Sequence, residues 1–348
     1  MSRPDTAGAL LRHVRRLVDD GTATAAAGAV IRGPDRAAAA FGHRGRPGGG
    51  APPAGPGTLF ALGSLTKTFT TLLLAEMAAA GTVGYDDPIE THLPPGARPR
   101  PGSESVTLAD LATHSGGLPR LPANLYAKAL RNWRGDPYAA YGPADLHRAT
   151  ARLRPRPGPR PVRYSTFGVG LLGHLLAGAA RTPYPALLTA RVLGPLGLDR
   201  TLVPDAADLA ADTATGHRRG RPVPHWRFDA LAGAGALYSC ADDLLSYLGA
   251  LLEPAGAPGP LAEALAVVRT RHRPGPSGRD DQALGWDLRE INGRTLLWHT
   301  GGTGGFTSYA AFSPDARTAV AVLANATPTR AQPVLRTARR LFRETTFG

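Results

Sequence analysis

Cysteine is nearly missing from this chain of 348 residues: Cys240 stands alone. That excludes an internal disulfide and any multi-thiolate metal site, and it agrees with a reducing compartment. Lysine is almost as scarce, with Lys67 and Lys128 the only two. Acidic side chains fall short of basic ones, 27 against 40, for a formal net charge of +13. A surplus of that kind can mark a binder of nucleic acid or of an anionic membrane surface. Here the cations are almost all arginines, scattered among 43 glycines, 33 prolines and many alanines, as in a chain written in GC-rich codons. No basic run is interleaved with aromatics as a stacking platform requires, so no nucleic-acid partner is expected. Apolar stretches are broken by Gly, Arg or Asp well short of the ~18 residues that a membrane helix needs, which argues against a membrane span. The opening Met1-Ser2-Arg3-Pro4-Asp5 lacks the basic-then-apolar pattern of a signal peptide, and a cytoplasmic location is the expectation. The ten histidines contain no His-x-x-x-His pair and no companion cysteines, so no metal is expected.

What is present suffices for a sizeable core. With 43% apolar and 19% charged residues, neither wholesale disorder nor a fibrous repeat fits. The length is about twice the ~150 residues of an ordinary domain, which suits one large two-lobed domain or two smaller ones. Leu10, Leu11, Val14, Leu17 and Val18 recur at helical spacing and predict an amphipathic helix over about 6–20. Ala26 to Ile31 and Ala37 to Phe41 read as strands joined at Gly33-Pro34-Asp35. A Gly/Pro-rich loop over 45–57 leads to a long helical pattern from about Ser64 to Ala80, closed by Gly81. Short helices and Pro-rich connectors fill 85–225, and the alternate prolines of 154–161 forbid regular helix there. Strand signals return at Gly233 to Tyr238, Leu284 to Arg289, Thr295 to His299, Tyr309 to Ser313 and Thr318 to Asn325, before a last helix from about Gln332 to Phe342. The simplest architecture is an α+β fold: a sheet assembled from both chain ends, flanked by helices, with a mostly helical lobe inserted between. The expected division is a sheet lobe of about 1–80 and 225–348 and a helical lobe of about 81–224.

Chemistry enters at Phe60-Ala61-Leu62-Gly63-Ser64-Leu65-Thr66-Lys67. If a helix begins at Ser64, Lys67 lies one turn on and projects its amine over the face that carries the serine hydroxyl. A free serine is a poor nucleophile, and a lysine can activate it only where burial or nearby positive charge keeps the amine unprotonated. The helix start adds unpaired N–H groups suited to an oxyanion. Ser-x-x-Lys alone is weak, since Ser64 can simply cap the helix. Its weight comes from the company it keeps. An arginine-rich chain places one of its two lysines in an apolar setting, where an unpaired ammonium is costly and where arginine could not lose its proton.

Two later segments sharpen this reading. Arg163-Tyr164-Ser165-Thr166-Phe167-Gly168 precedes a helix-like run over Val169 to Leu176, and Trp298-His299-Thr300-Gly301-Gly302-Thr303-Gly304-Gly305 ends a predicted strand in glycines. With Ser-x-x-Lys, these resemble the serine β-lactamase and penicillin-binding protein superfamily, nearest to its class C branch of D,D-carboxypeptidases, D-aminopeptidases, esterases and acyltransferases. Gly81 to Ile89, Val106 to Pro119 and Val192 to Leu198 add to the likeness, which spans about residues 20–340. The resemblance implies the β-lactamase/transpeptidase-like fold, no cofactor, and a small-molecule or short-peptide acyl substrate. It implies Ser64 as nucleophile, Lys67 as its activating partner and Tyr164 as the proton relay between serine, lysine and leaving group. It also places His299, Thr300 and Gly301 on an edge strand along the substrate, with the N–H groups of Ser64 and Gly302 as oxyanion hole.

Departures from the pattern matter. Thr166 stands where the family usually has Asn, which leaves the substrate contacts of that motif open. His299 replaces the Lys of the class C β-lactamases and points toward peptidase and esterase relatives instead. The expected activity is therefore acyl transfer through Ser64 to water, on an ester, amide or peptide. The alternatives are an acyltransferase of specialised metabolism with an amine or alcohol acceptor and, from another class, an inactive ligand-binding relative. The sequence does not give the oligomeric state. His114 reads as a structural hydrogen-bonding residue at a helix end, Cys240 as a packed thiol beside a helix start at Ser239 to Asp242, and the glycines of 301–305 as close-approach positions, since the Gly-Lys-Ser/Thr ending of a phosphate loop is missing. Tyr126, Trp133, Tyr138 and Tyr141 read as packing residues of the helical insert with the capacity to line a pocket.

Overall fold

The structure is a computed structural model and describes residues 5–45, 50–100, 105–130, 132–133, 135–155, 160–205, 209 and 212–348. Of the predicted irregular segments, residues 46–49 of the first and 156–159 of the second lie outside the described residues. The chain opens with α1 (Thr6–Asp19), capped by Asp5, whose carboxylate accepts the Gly8 N–H at 2.8 Å. A hairpin follows, β1 (Ala25–Arg32) and β2 (Asp35–Gly42), turning on Gly33 at φ 57°, a left-handed conformation natural to glycine. The two-residue β3 (Phe60–Ala61) leads through a single 3₁₀ turn, Gly63–Leu65, into α2 (Thr66–Ala79).

Helices then dominate the middle of the chain: α3 (Leu108–Ala112), α4 (Ala123–Ala129), α5 (Pro143–Ala151), α6 (Thr166–Ala180) and α7 (Tyr184–Leu188). After the small ribbon of β4 (His217–Arg218) and β5 (Arg221–Pro222), β6 (Tyr238–Ser239) pairs with β3. Two more helices, α8 (Ala241–Leu252) and α9 (Pro260–Val267), precede the late strands β7 (Arg271–Arg273), β8 (Asp281–Ala283), β9 (Trp286–Ile291), β10 (Arg294–Gly302), β11 (Thr307–Ser313) and β12 (Thr318–Ala324), and α10 (Pro333–Phe347) ends the chain. Among the described residues no helix is long and apolar enough to cross a membrane.

One antiparallel sheet of eight strands, in the order β2-β1-β12-β11-β10-β9-β8-β7, joins the two ends of the chain as expected. Strand alternation divides its side chains between two cores. Ala26, Val30, Val320 and Val322 pack under α1 and α10, against Leu10, Val14, Leu341 and Phe342. Ala27, Ile31, Ala321 and Leu323 face the larger core with α2 and α8. The central strands carry many alanines because helices press on both faces. Helix α2 is buried over nearly its whole length, from Thr66 to Met77, so it runs through the middle of the protein and not along its surface.

Two predicted strands are corrected. The run Gly233 to Tyr238 is mostly a 3₁₀ segment (Asp229–Ala234) and a turn, with only Tyr238 in a strand. Its carbonyls are claimed by side chains of α2 and not by a ladder: Thr70 Oγ1 donates to Gly233 O at 2.7 Å and Lys67 Nζ to Ala234 O at 2.7 Å. Within Leu284 to Arg289, Leu284 and Gly285 form a hairpin turn between β8 and β9, with Gly285 at φ 73°. Helix α8 starts within Ser239 to Asp242 as expected, and Cys240 occupies its cap, the thiol accepting the Asp243 N–H at 3.5 Å. Burial pushes that thiol up to about 11, so it stays protonated and unreactive at neutral pH.

Candidate active site

The turn that carries Ser64 is held from two sides. Leu62 N–H donates to Leu237 O at 2.8 Å, and Ser308 Oγ on β11 donates to Leu62 O at 2.7 Å. Backbone meets backbone here. Gly63 has φ 52°, and a Cβ on it would lie 2.7 Å from both N and O of Gly302; a Cβ on Gly301 would lie 1.9 Å from Leu62 O. Glycine at both positions lets the end of β10 lie directly beside the serine turn.

Lys67, the second residue of the buried helix α2, reaches back to Ser64 in the 3₁₀ turn before it. Its Nζ is 3.0 Å from Ser64 Oγ and 2.7 Å from the carbonyl oxygen of Ala234. The side chain is 0% exposed. Burial drives its pKa below the ordinary 10.5, the positive charge of Arg120 adds to that fall, and Tyr164 opposes it through charge and hydrogen bonding. Among the described residues no carboxylate pairs with it, and the amine is biased toward the neutral form that can accept a proton from a hydroxyl.

Tyr164 faces this pair. Lys67 Nζ lies 5.1 Å from its ring centroid and the Arg120 guanidinium carbon 5.4 Å from it. The ring of His114 lies 4.7 Å away and that of His299 6.3 Å away. What fixes Tyr164 is its neighbour Ser165, which caps α6: its hydroxyl accepts the Gly168 N–H at 2.8 Å and donates to Pro119 O at 2.7 Å. The Ser165 N–H in turn donates to Nδ1 of His114 at 3.2 Å. His114 holds a left-handed φ of 57°, just past α3, and burial first, then the charge of Lys67, push its pKa well below 6.5. A neutral imidazole is what that acceptor role needs, and it matches the structural reading of this residue.

Strand β10 is interior to the sheet and not an edge strand, but its far end acts as one. Pairing with β9 stops at Trp298, while β10 continues along β11 through Gly302 opposite Thr307. His299 to Gly302 therefore present a free backbone edge on the β9 side, beside Ser64. His299 is buried, and desolvation followed by the charge of Lys67 lowers its pKa to about 3, so it is uncharged at neutral pH. Thr300 and Gly302 are half-buried and Gly301 is buried. Thr166, two residues past Tyr164, opens α6 with its N–H on Arg120 O at 2.9 Å and is only 7% exposed.

The residues singled out in the sequence thus converge, with Ser64 and Tyr164 each against Lys67 and the end of β10 beside the serine turn. Sequence reasoning did not find the Ala234 carbonyl, which lies in a segment it read as strand; the small residues Gly233-Ala234-Gly235 were the available signal. Nor did it find Arg120, which carries no motif. The aromatic residues of the insert divide. Tyr138 and Tyr141 are buried, whereas Tyr126 and Trp133 stack at 5.9 Å with about half of each exposed.

Comparison with known proteins places the chain in a family and a fold. The Beta-lactamase family profile matches residues 10–344. D-alanyl-D-alanine-carboxypeptidase/endopeptidase AmpH of Escherichia coli (strain K12) is 28% identical over 326 residues, covering 88% of this chain and 80% of that protein. A beta-lactamase of Pseudomonas fluorescens is 27% identical over 300 residues, 77% of this chain and 79% of that one. Among solved structures, the octameric penicillin-binding protein homologue from Pyrococcus abyssi superposes with a TM-score of 0.80 at 24% identity, over 97% of this chain and 76% of that chain; this likeness establishes a shared fold.

Proposed function

The chain belongs to the beta-lactamase family, and on that premise we propose that it is a cofactor-free serine hydrolase that forms an acyl-enzyme at Ser64 with an ester, amide or short peptide. The contact of 3.0 Å between Lys67 Nζ and Ser64 Oγ, made by a lysine with no exposed surface and a lowered pKa, carries this reading. Neutral Lys67 takes the serine proton as the Oγ–C bond forms, and the carbonyl π electrons move to oxygen. The backbone N–H groups of Ser64 and Gly302 receive that oxyanion. Collapse breaks the bond to the leaving group, which gains its proton through Tyr164. Water then repeats the sequence on the acyl-enzyme and regenerates Ser64.

Substrate lies along the free edge of β10 beside Thr300 and Gly301, with Thr166 behind Tyr164. Because burial keeps His299 neutral, that motif offers a substrate hydrogen bonds and no charge. The test is intact mass after incubation with a fluorophosphonate, a penicillin and a panel of activated esters and D-amino-acid amides. An adduct on the wild type that is missing from Ser64→Ala supports the enzyme; no adduct with any reagent favours an inactive ligand-binding relative. Offering amines or alcohols with an activated ester separates the acceptors: a condensed product in excess over free acid would make the protein an acyltransferase.

A further inference from the structure

We propose that Arg120 is a specificity-determining residue that binds a carboxylate carried by the acyl substrate of Ser64. The inference rests on the hydrolase reading above and adds to it a class of substrate. Its starting point is a charge imbalance in the cleft. The third motif supplies no cation, since His299 is buried and neutral. Lys67 is biased toward its neutral form and is committed to Ser64 and Ala234. The Arg120 guanidinium, over the same Tyr164 ring that Lys67 faces, is then a cation placed to meet an anion there.

Its placement is fixed by the backbone. The Arg120 carbonyl accepts the N–H groups of Thr166 at 2.9 Å and Phe167 at 3.1 Å, which ties it to the first turn of α6, directly after Tyr164. The side chain then lies over the Tyr164 ring at 5.4 Å, an arrangement that suits a weakly hydrated planar cation. Its charge is felt at both Lys67 and Tyr138. Arg120 itself is exposed, so a ligand can reach it.

Two arginines of the same region share one carboxylate: Asp110 pairs with Arg160 at 3.6 Å and with Arg273 at 3.3 Å. Among the described residues Arg120 has no carboxylate partner. A guanidinium left in that state beside Lys67 works against any protonated intermediate on the lysine, a cost that a bound substrate anion removes. Its fork of donors matches a carboxylate in geometry as well as charge.

The test uses a matched pair of esters, para-nitrophenyl glutarate and its neutral isostere para-nitrophenyl methylhexanoate, with spontaneous hydrolysis subtracted. We expect the wild type to favour the anionic ester in kcat/KM by about ten- to one-hundred-fold, mostly through KM, as for a charge-assisted hydrogen bond at a partly solvated site. That ratio should fall toward one in Arg120→Gln, be partly retained in Arg120→Lys as a point charge, and shrink with added salt. A wild-type ratio near one would overturn the proposal. So would an unchanged ratio in Arg120→Gln with both rates reduced, since Arg120 would then act only on Tyr164 and Lys67. If the wild type hydrolyses neither ester and Ser64 takes no label, the hydrolase reading fails and this inference falls with it. Hydrolysis of the neutral ester with no anionic preference sinks the inference alone.

Discussion

The amine of Lys67 and the carbonyl of Ala234 lie 167 residues apart in the chain and meet at 2.7 Å. That contact, with Ser64 Oγ on the other side of the same nitrogen, places the lysine between a hydroxyl it can deprotonate and an oxygen that only accepts. A protonated amine satisfies both as well as a neutral one does. What separates the two states is the burial of the nitrogen and, among the described residues, the lack of a carboxylate paired with it, and this gives the site its chemistry.

Removing the nucleophile is the first expectation. Ser64→Ala should lower turnover of any substrate by about 10⁴-fold or more and should abolish the covalent adduct seen by mass spectrometry. Because Ser64 sits in a turn held by Leu62 and Ser308, the thermal midpoint should hardly move.

The pH dependence of acylation should follow Lys67. Its neutral form is the base, so kcat/KM rises with pH along an acid limb whose midpoint lies below the ordinary lysine value of 10.5. His299 titrates near 3 and His114 well below 6.5, so neither should shape the profile at neutral pH. A limb that moves when His299 is changed to Gln, but stays in place when Arg120 is changed to Gln, would contradict this assignment.

Stability should show the same group with a definite sign. Lys67 binds a proton in the unfolded chain up to about pH 10, but its folded pKa is depressed. Over the interval between those values the unfolded state holds more protons, so wild-type stability rises with pH. Urea unfolding of the wild type and Lys67→Met between neutral and alkaline pH should therefore show the difference moving in the wild type's favour, by up to about 1.4 kcal/mol per pH unit. Parallel pH curves for the two proteins would rule the lowered pKa out.

Gly301 supplies a steric test. A Cβ there would lie 1.9 Å from Leu62 O and 2.3 Å from Ser308 Oγ, so Gly301→Ala must push β10 away from the serine turn. The expected cost is about 1–3 kcal/mol of stability and, because Gly302 shifts with it, a loss of activity larger than the loss of folded protein at the assay temperature. Full activity in this variant would contradict the close approach of β10 to Ser64.

His114 is expected to act by positioning Tyr164. His114→Ala leaves the Ser165 N–H without its acceptor and puts a left-handed φ on alanine, for a cost of about 1–3 kcal/mol. His114→Asn keeps an acceptor and tolerates that backbone conformation, so it should recover most of the stability and of kcat. If the two variants are equally impaired, the imidazole has a role beyond the hydrogen bond to Ser165.

How much of this was legible in the chain depends on the range of each interaction. The helix of Thr6–Asp19, the hairpin at Gly33 and the strands flanking residues 299–325 follow from periodicity and turn residues within a short window. Ser64 lies in a 3₁₀ turn and Lys67 at the start of α2, and not on one α-helix begun at Ser64, but residues three apart share a face in either helix, so their pairing was visible without any fold.

Properties set by distant neighbours were not. The segment Gly233 to Tyr238 has the composition of a strand, yet side chains of a buried helix take its carbonyls, and no local pattern reports that. Nor does any window of sequence say that β9 ends opposite Trp298 and leaves His299 to Gly302 with a free edge, or that Arg120 lies on the Tyr164 ring. The chain by itself determined which groups are available for chemistry, since hydroxyl, amine, phenol and glycine are fixed by residue identity. Tertiary structure alone decided their protonation and exposure, because desolvation and Coulomb forces act through space and are set by what the rest of the chain packs around each group.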